Sequence, residues 1–131
     1  MDNCIFCKII AGEIPSTKIY EDDNLVAFLD ITQTTKGHTL VVPKTHTRNL
    51  LAMEPEQASQ LFSRIPEIAN KLVDSLDAKG MNILQNNEEI AGQTVFHTHV
   101  HLIPRYAEDD GFSAAFTAHT YDLNAIAEEI L

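Results

Sequence analysis

Residues Thr94 to Arg105 read TVFHTHVHLIPR, and three of the chain's six histidines fall at alternate positions within it: His97, His99 and His101. On a strand, alternate side chains point the same way, about 6.5–7 Å apart, so the three imidazoles are expected on one face. Phe96, Val100 and Leu102, with Thr98 among them, are expected on the opposite face as core. Three readings compete. A solvated strand face could carry histidines by accident, although perfect alternation of half the chain's histidines weighs against it. A His-x-His pair could supply two ligands to a zinc ion completed from elsewhere. A neutral imidazole, held as N–H at one nitrogen, keeps a lone pair at the other and can form a covalent intermediate with phosphorus.

The approach to this segment, NNEEIAGQT, ends in Gly92, Gln93 and Thr94. Glycine lets a ligand come close to the backbone, and the next two side chains offer donors. Directly ahead of the histidines they form a candidate phosphate cradle. A second candidate constellation begins at Cys4-x-x-Cys7. Its spacing suits zinc, but it is half a site. A reduced, merely packed pair is the alternative. A redox pair is disfavoured because no βαβ unit surrounds it.

These residues need elements to position them. Lys18–Tyr20 and Leu25–Ile31 have strand composition, with the turn EDDN (Glu21–Asn24) between them. Thr39–Val42 reads as a third strand between Gly37 and Pro43. Glu54 to Asp77 repeats apolar residues at helical spacing, from Leu61 and Phe62 to Leu76, and predicts one long helix kinked at Pro66. Met81–Leu84 and Thr94–Ile103 read as strands, the latter ended by Pro104, with a polar loop over Asn86–Gly92. Leu123–Ile130 predicts a short terminal helix, and Tyr106–Tyr121 has no clear assignment. Strands, a long helix, then strands with short links define an α+β fold with a mainly antiparallel sheet. With 131 residues and no repeat or long linker, residues 1–131 are expected to form a single domain.

Composition narrows the partners. Apolar residues make up 44% of the chain, and no unbroken apolar run is long enough to span a bilayer, so no membrane association is expected. The N-terminal wording lacks a signal peptide's basic start and apolar core, which points to a cytoplasmic protein. A net charge of −10 disfavours polymeric nucleic acid. It leaves room for a small nucleotide, which backbone N–H groups and histidines can hold locally.

The pattern His-φ-His-φ-His-φ-φ resembles the signature of the histidine triad (HIT) family of nucleotide hydrolases and transferases. Thr98 stands where an apolar residue is usual. The likeness continues through CIFCKIIAGEIP, EDDNLVAFLDI, KGHTLVVPKTH and AGQTVFHTHVHLIPR, in that order, and is strongest to the Hint-like branch. It implies a five-stranded antiparallel sheet with one long helix and a short C-terminal helix, continued across a homodimer. It also implies an AMP-like ligand and hydrolysis of a nucleoside 5′-phosphoramidate or similar small nucleotide. By motif position, His99 resembles the nucleophile and His101 a donor to the phosphate. His97 would hold the His99 tautomer through its carbonyl, and His38 would support the site. Asn86, Gln93 and Thr94 resemble phosphate and leaving-group contacts, and Asp30 the ribose-binding carboxylate. Phe6, Ile9, Phe28 and Ile31 would wall the base, although such residues serve equally as core. The likeness further implies structural zinc on Cys4, Cys7, His46 and His97, with no metal required for the chemistry.

Three other functions remain on the sequence. One is cleavage of dinucleoside polyphosphates, whose enzymes the Ile103-Pro104-Arg105 ending also resembles. Another is a non-enzymatic nucleotide-binding adaptor. The last is a zinc-dependent hydrolase that uses the three alternating histidines as ligands.

Overall fold

Leu25–Leu29 reads LVAFL, apolar at every position, so both of its faces must be covered. The computed structural model describes residues 3–131 and leaves Met1 and Asp2, the start of the expected domain, outside that range. Five strands make one antiparallel sheet: β1 (Lys18–Glu21), β2 (Leu25–Leu29), β3 (Thr39–Pro43), β4 (Gly80–Leu84) and β5 (Val100–Arg105). Their spatial order is β1-β2-β3-β5-β4.

Alternation along the strands then sorts the side chains. Leu25, Ala27, Val41, Val100 and Leu102 face α2 (Pro55–Phe62) and α3 (Ile65–Leu76), where they meet Leu61, Ile65, Ile68 and Leu72. Val26, Phe28, Leu40 and Val42 face the other way and pack on Phe6 and Ile9 of α1 (Ile5–Ile10). His101 pairs with Leu40 across β3 and β5, which puts its side chain on the α1 face. The expected α+β antiparallel arrangement is the one observed. Among the described residues no helix is long and apolar enough to cross a membrane.

Four local expectations change. The long helix is two helices broken at Ser63–Arg64. Pro66 lacks an N–H for the Phe62 carbonyl, and its ring crowds that position, so α2 ends at Phe62 and α3 restarts with Pro66 in its first turn. The expected strand over Thr94–Ile103 begins only at Val100 and runs to Arg105. Residues before it are drawn off the sheet; Thr98 N donates to Thr47 O at 2.8 Å. Phe96 is therefore not core: it is 36% exposed, with the Arg48 guanidinium 4.3 Å over its ring. Helix α1 itself has no counterpart among the expected elements. It starts at Cys4, whose Sγ accepts from Cys7 N at 3.3 Å. A short fourth helix, α4 (Leu123–Ile130), matches the expected terminal helix and is capped by the Asp122 side chain.

Candidate active site

The α1 face of the sheet holds a cavity of about 740 Å³. Of the candidate site residues named from the sequence, Phe6, Ile9, Phe28, Asp30, Thr94, His99 and His101 line it. Ile31 also lines it but is fully exposed, so it forms rim rather than wall. Sequence reasoning misses Ile14, Pro15, Ser16, Thr17, Gln33 and Val95. Ile14 and Pro15 close the CIFCKIIAGEIP stretch, but nothing in it marks residues 14–17 as cavity wall; they arrive because the turn at Gly12, with φ +80°, carries the chain back along α1.

Hydrogen bonds fix the protons of the histidines. His99 Nδ1 lies 2.8 Å from the His97 carbonyl, which can only accept, so Nδ1 carries the hydrogen and Nε2 keeps its lone pair. His97 Nε2 lies 2.8 Å from the Pro43 carbonyl and carries a hydrogen for the same reason, leaving Nδ1 free. Thr34 N donates to His38 Nδ1 at 3.3 Å, so the hydrogen of neutral His38 sits on Nε2. That atom lies 2.9 Å from His101 Nδ1 and 3.6 Å from Asp30 Oδ2. His101 thus accepts at Nδ1 and, when neutral, presents an N–H at Nε2. A free lone pair on His99 stands beside an imidazole donor, with the two ring centroids 5.0 Å apart.

Burial keeps these rings neutral. It lowers His99, partly offset by the hydrogen bond to the His97 carbonyl and by Asp30. Burial, with repulsion from His99 and His38, brings His101 down to about 4. Burial also lowers His38, against the pull of Asp30. A neutral His99 is the form with a nucleophilic nitrogen.

His97 faces a different cluster. Its Nδ1 lies 3.1 Å from His46 Nδ1, 3.4 Å from Cys4 Sγ and 3.5 Å from Cys7 Sγ, and Cys7 Sγ lies 3.3 Å from His46 Nδ1. Four ligands at ordinary zinc distances stand about 3.3–3.8 Å apart, so the set fits one tetrahedral ion. The free lone pair on His97 Nδ1 points the donor chemistry the right way. Burial and the neighbouring Cys4 push the Cys7 thiol up to about 11, a cost that a bound cation would relieve. The three alternating histidines do not converge as ligands. His97 joins the cysteines, His99 bonds a carbonyl and His101 bonds His38.

Gln93 needs correction as a phosphate contact. It is 1% exposed, and its amide is fully used within the chain. Nε2 donates to Arg48 O and Val95 O, while Oε1 accepts from Asn49 Nδ2 and Glu88 N. Its role is to hold the turn that presents Thr94. Asn86 is not among the cavity-lining residues. It sits against Gly92, where a Cβ would meet its Nδ2 at 3.3 Å and where φ is +99°.

This fold and this geometry have close counterparts. The HIT domain family matches residues 11–108. Protein hit of Bacillus subtilis is 55% identical over 121 residues, 92% of this chain and 83% of that protein. Adenosine 5′-monophosphoramidase hnt1 of Schizosaccharomyces pombe is 36% identical over 131 residues, covering 98% and 96%. Adenylylsulfatase HINT3 of Arabidopsis thaliana is 37% identical over 131 residues, covering 99% and 66%. A crystal structure of a HIT family protein from Bacillus anthracis superposes with a TM-score of 0.93 at 54% identity, covering 98% of this chain and 95% of that one. A zinc-bound histidine triad family protein from Mycobacterium smegmatis gives a TM-score of 0.79 at 42% identity, covering 85% and 81%. The chain belongs to the HIT family: it has the family fold and is a family hydrolase.

Proposed function

We propose that the protein hydrolyses a nucleoside 5′-phosphoramidate, or a similar small substituted nucleotide, at the α-phosphorus through a nucleotidyl-His99 intermediate. The observation that carries this reading is the 2.8 Å contact between His99 Nδ1 and the His97 carbonyl, which leaves Nε2 free to attack. As the Nε2–P bond forms, the P–N bond of the substrate breaks. The leaving nitrogen accepts a hydrogen bond from His101 Nε2 and departs as the amine with a proton from solvent. Water then attacks phosphorus, the His99–P bond breaks, and the proton lost by water passes to solvent. The nucleoside monophosphate is the product. Holding nucleophile and donor in place is the main contribution to rate. Thr94 fits a phosphate contact at the cavity wall, Asp30 the ribose and Phe6, Ile9 and Phe28 the base.

The named activity of the fission-yeast relative supports the phosphoramidate over a dinucleoside polyphosphate. The hydrogen bond from His38 Nε2 to His101 Nδ1, which orients the His101 ring toward His99, supports an enzyme over an adaptor.

Zinc on Cys4, Cys7, His46 and His97 fits as a closed structural ion; bound there, it would tie α1 to the segment ahead of β5. A cytoplasmic homodimer remains part of this reading. Leu123, Ile130 and Leu131 lie exposed on and beyond α4, an apolar surface that a second copy would cover.

The test is to quench a reaction with adenosine 5′-phosphoramidate and map adenylylated peptides by mass spectrometry. The adduct is expected on the peptide holding His99 and absent from His99→Ala. An adduct elsewhere, or turnover with none, overturns the covalent step.

A further inference from the structure

The loop joining β2 to β3 carries Asp30 at one end and His38 at the other. Asp30 N donates to His38 O at 2.9 Å and closes it. The Gln33 amide fills its interior. Nε2 donates to Asp30 O at 2.6 Å and to His38 O at 2.8 Å, and Oε1 accepts from Gly37 N at 2.7 Å. The partners settle the amide's orientation, since two carbonyls can only accept and a backbone N–H can only donate. Gln33 also lines the cavity, but both of its amide hydrogens are spent inside the loop, leaving no donor for a ligand. The next residue supplies the contact that sets the His38 proton, Thr34 N on Nδ1. Asp30 is braced in the same loop, its Oδ1 accepting from Thr32 N at 2.8 Å.

We propose that Gln33 is a positioning residue for the hydrolysis: by pinning residues 30–38 it keeps Thr34 N on His38 Nδ1, and so holds the His38 tautomer that donates to His101. Gln33 touches none of the reacting atoms and acts through His38. The far side of the loop is packed independently of it. Gly37 takes φ +94°, and a Cβ there would collide with Leu76 on α3. Thr35 Oγ1 donates to Pro104 O at 2.6 Å, and Tyr106 Oη donates to Lys36 O at 2.6 Å. Losing the Gln33 amide should therefore loosen the inner side of the loop while its outer side stays anchored.

This inference rests on the hydrolysis proposed above, and two readouts separate the two. The first is a double-mutant cycle of Gln33→Met and His38→Ala on adenosine 5′-phosphoramidate, with thermal melts confirming folded protein. In the otherwise native chain, Gln33→Met is expected to lower kcat about tenfold with KM changed less than about threefold; in the His38→Ala background it should change kcat less than about twofold. If Gln33→Met does not fold, Gln33→Asn keeps an amide one methylene short and should give the same pattern. The second readout is the ¹⁵N shifts of the His38 imidazole. The native chain should show Nδ1 unprotonated, and the Gln33 variant a mixture of tautomers. An equal kcat loss in both backgrounds, an unchanged kcat or an unaltered tautomer overturns the proposal. A native protein that releases no AMP would sink the hydrolysis, and the His38 shifts would still decide the role of Gln33.

Discussion

Stripping metal from the Cys4–Cys7–His46–His97 corner is expected to lower stability and weaken substrate binding while sparing the chemical step. Helix α1 has six residues, too few to hold itself in water. It is held by burial of Phe6 and Ile9, worth about 2 kcal/mol each, and by the ligand cluster at its start. A zinc ion at about a thousand times its Kd adds about 4 kcal/mol to the folded state. For a domain of this size, that is about 15 °C in Tm. The same helix forms part of the cavity wall, with the Phe6 ring 5.1 Å from that of His99, so a frayed α1 should raise KM, by about tenfold if about 1.4 kcal/mol of contact is lost. His99, the proposed nucleophile, is held by separate bonds. His97 still donates to Pro43 O, and its carbonyl still accepts from His99. The assay is a thermal melt with steady-state kinetics, run with and without a strong chelator, and repeated on Cys7→Ser. Collapse of kcat on chelation, at unchanged Tm and KM, would refute this reasoning and place the metal in the chemistry.

Further outcomes follow from the same structure. Gln93→Ala removes a buried amide with four partners and strands several of them, so unfolding free energy should fall by about 3 kcal/mol, measured by urea denaturation. A variant as stable as the native chain yet inactive would return Gln93 to the role of substrate contact. Thr98→Val removes the Thr98 Oγ1 bonds to Thr47, 2.7 Å to its hydroxyl and 3.1 Å to its carbonyl, and should cost about 1 kcal/mol on the same assay. A neutral stability change would show that an apolar residue serves there equally well. The pH profile has a definite sign. In the proposed reaction His99 attacks as neutral imidazole, and burial lowers its pKa, so kcat/KM should hold on descending through pH 6.5 and fall only as that lowered pKa is crossed. Stability should follow the same direction. His97 and His101 are held near 4 against an ordinary 6.5, so the unfolded chain binds more protons between those values and stability drops as pH falls through that window. A profile flat in stability from pH 7 to 4 would contradict the burial of these rings.

Much of the fold is legible in the sequence because its signals are local. The all-apolar LVAFL demands cover on both faces, and the apolar spacing of Ile65, Ile68 and Leu72 gives α3 its buried side. Helix α1 is not legible: six residues carry too little periodicity, and its stability comes from contacts with residues such as His97, 93 positions from Cys4. The start of β5 misleads for a related reason. Alternation persists from Thr94, but the bond from Thr98 to Thr47 removes those residues from the sheet. The candidates for nucleophile and metal ligands are carried by motifs. What each nitrogen does depends on which carbonyl or N–H stands opposite, and those partners, Pro43, Thr34 and the His97 carbonyl, become neighbours only after folding. Gln93 shows the limit most plainly, since a donor beside a phosphate loop and a donor buried within it have the same one-letter code.

The most direct test is AMP release from adenosine 5′-phosphoramidate by the native chain and by His99→Ala, with metal chelated in the assay buffer. Rapid release by the native chain, lost almost completely in the variant, is the expected result. Release by His99→Ala at a rate comparable to the native chain would contradict the assignment of His99 as nucleophile.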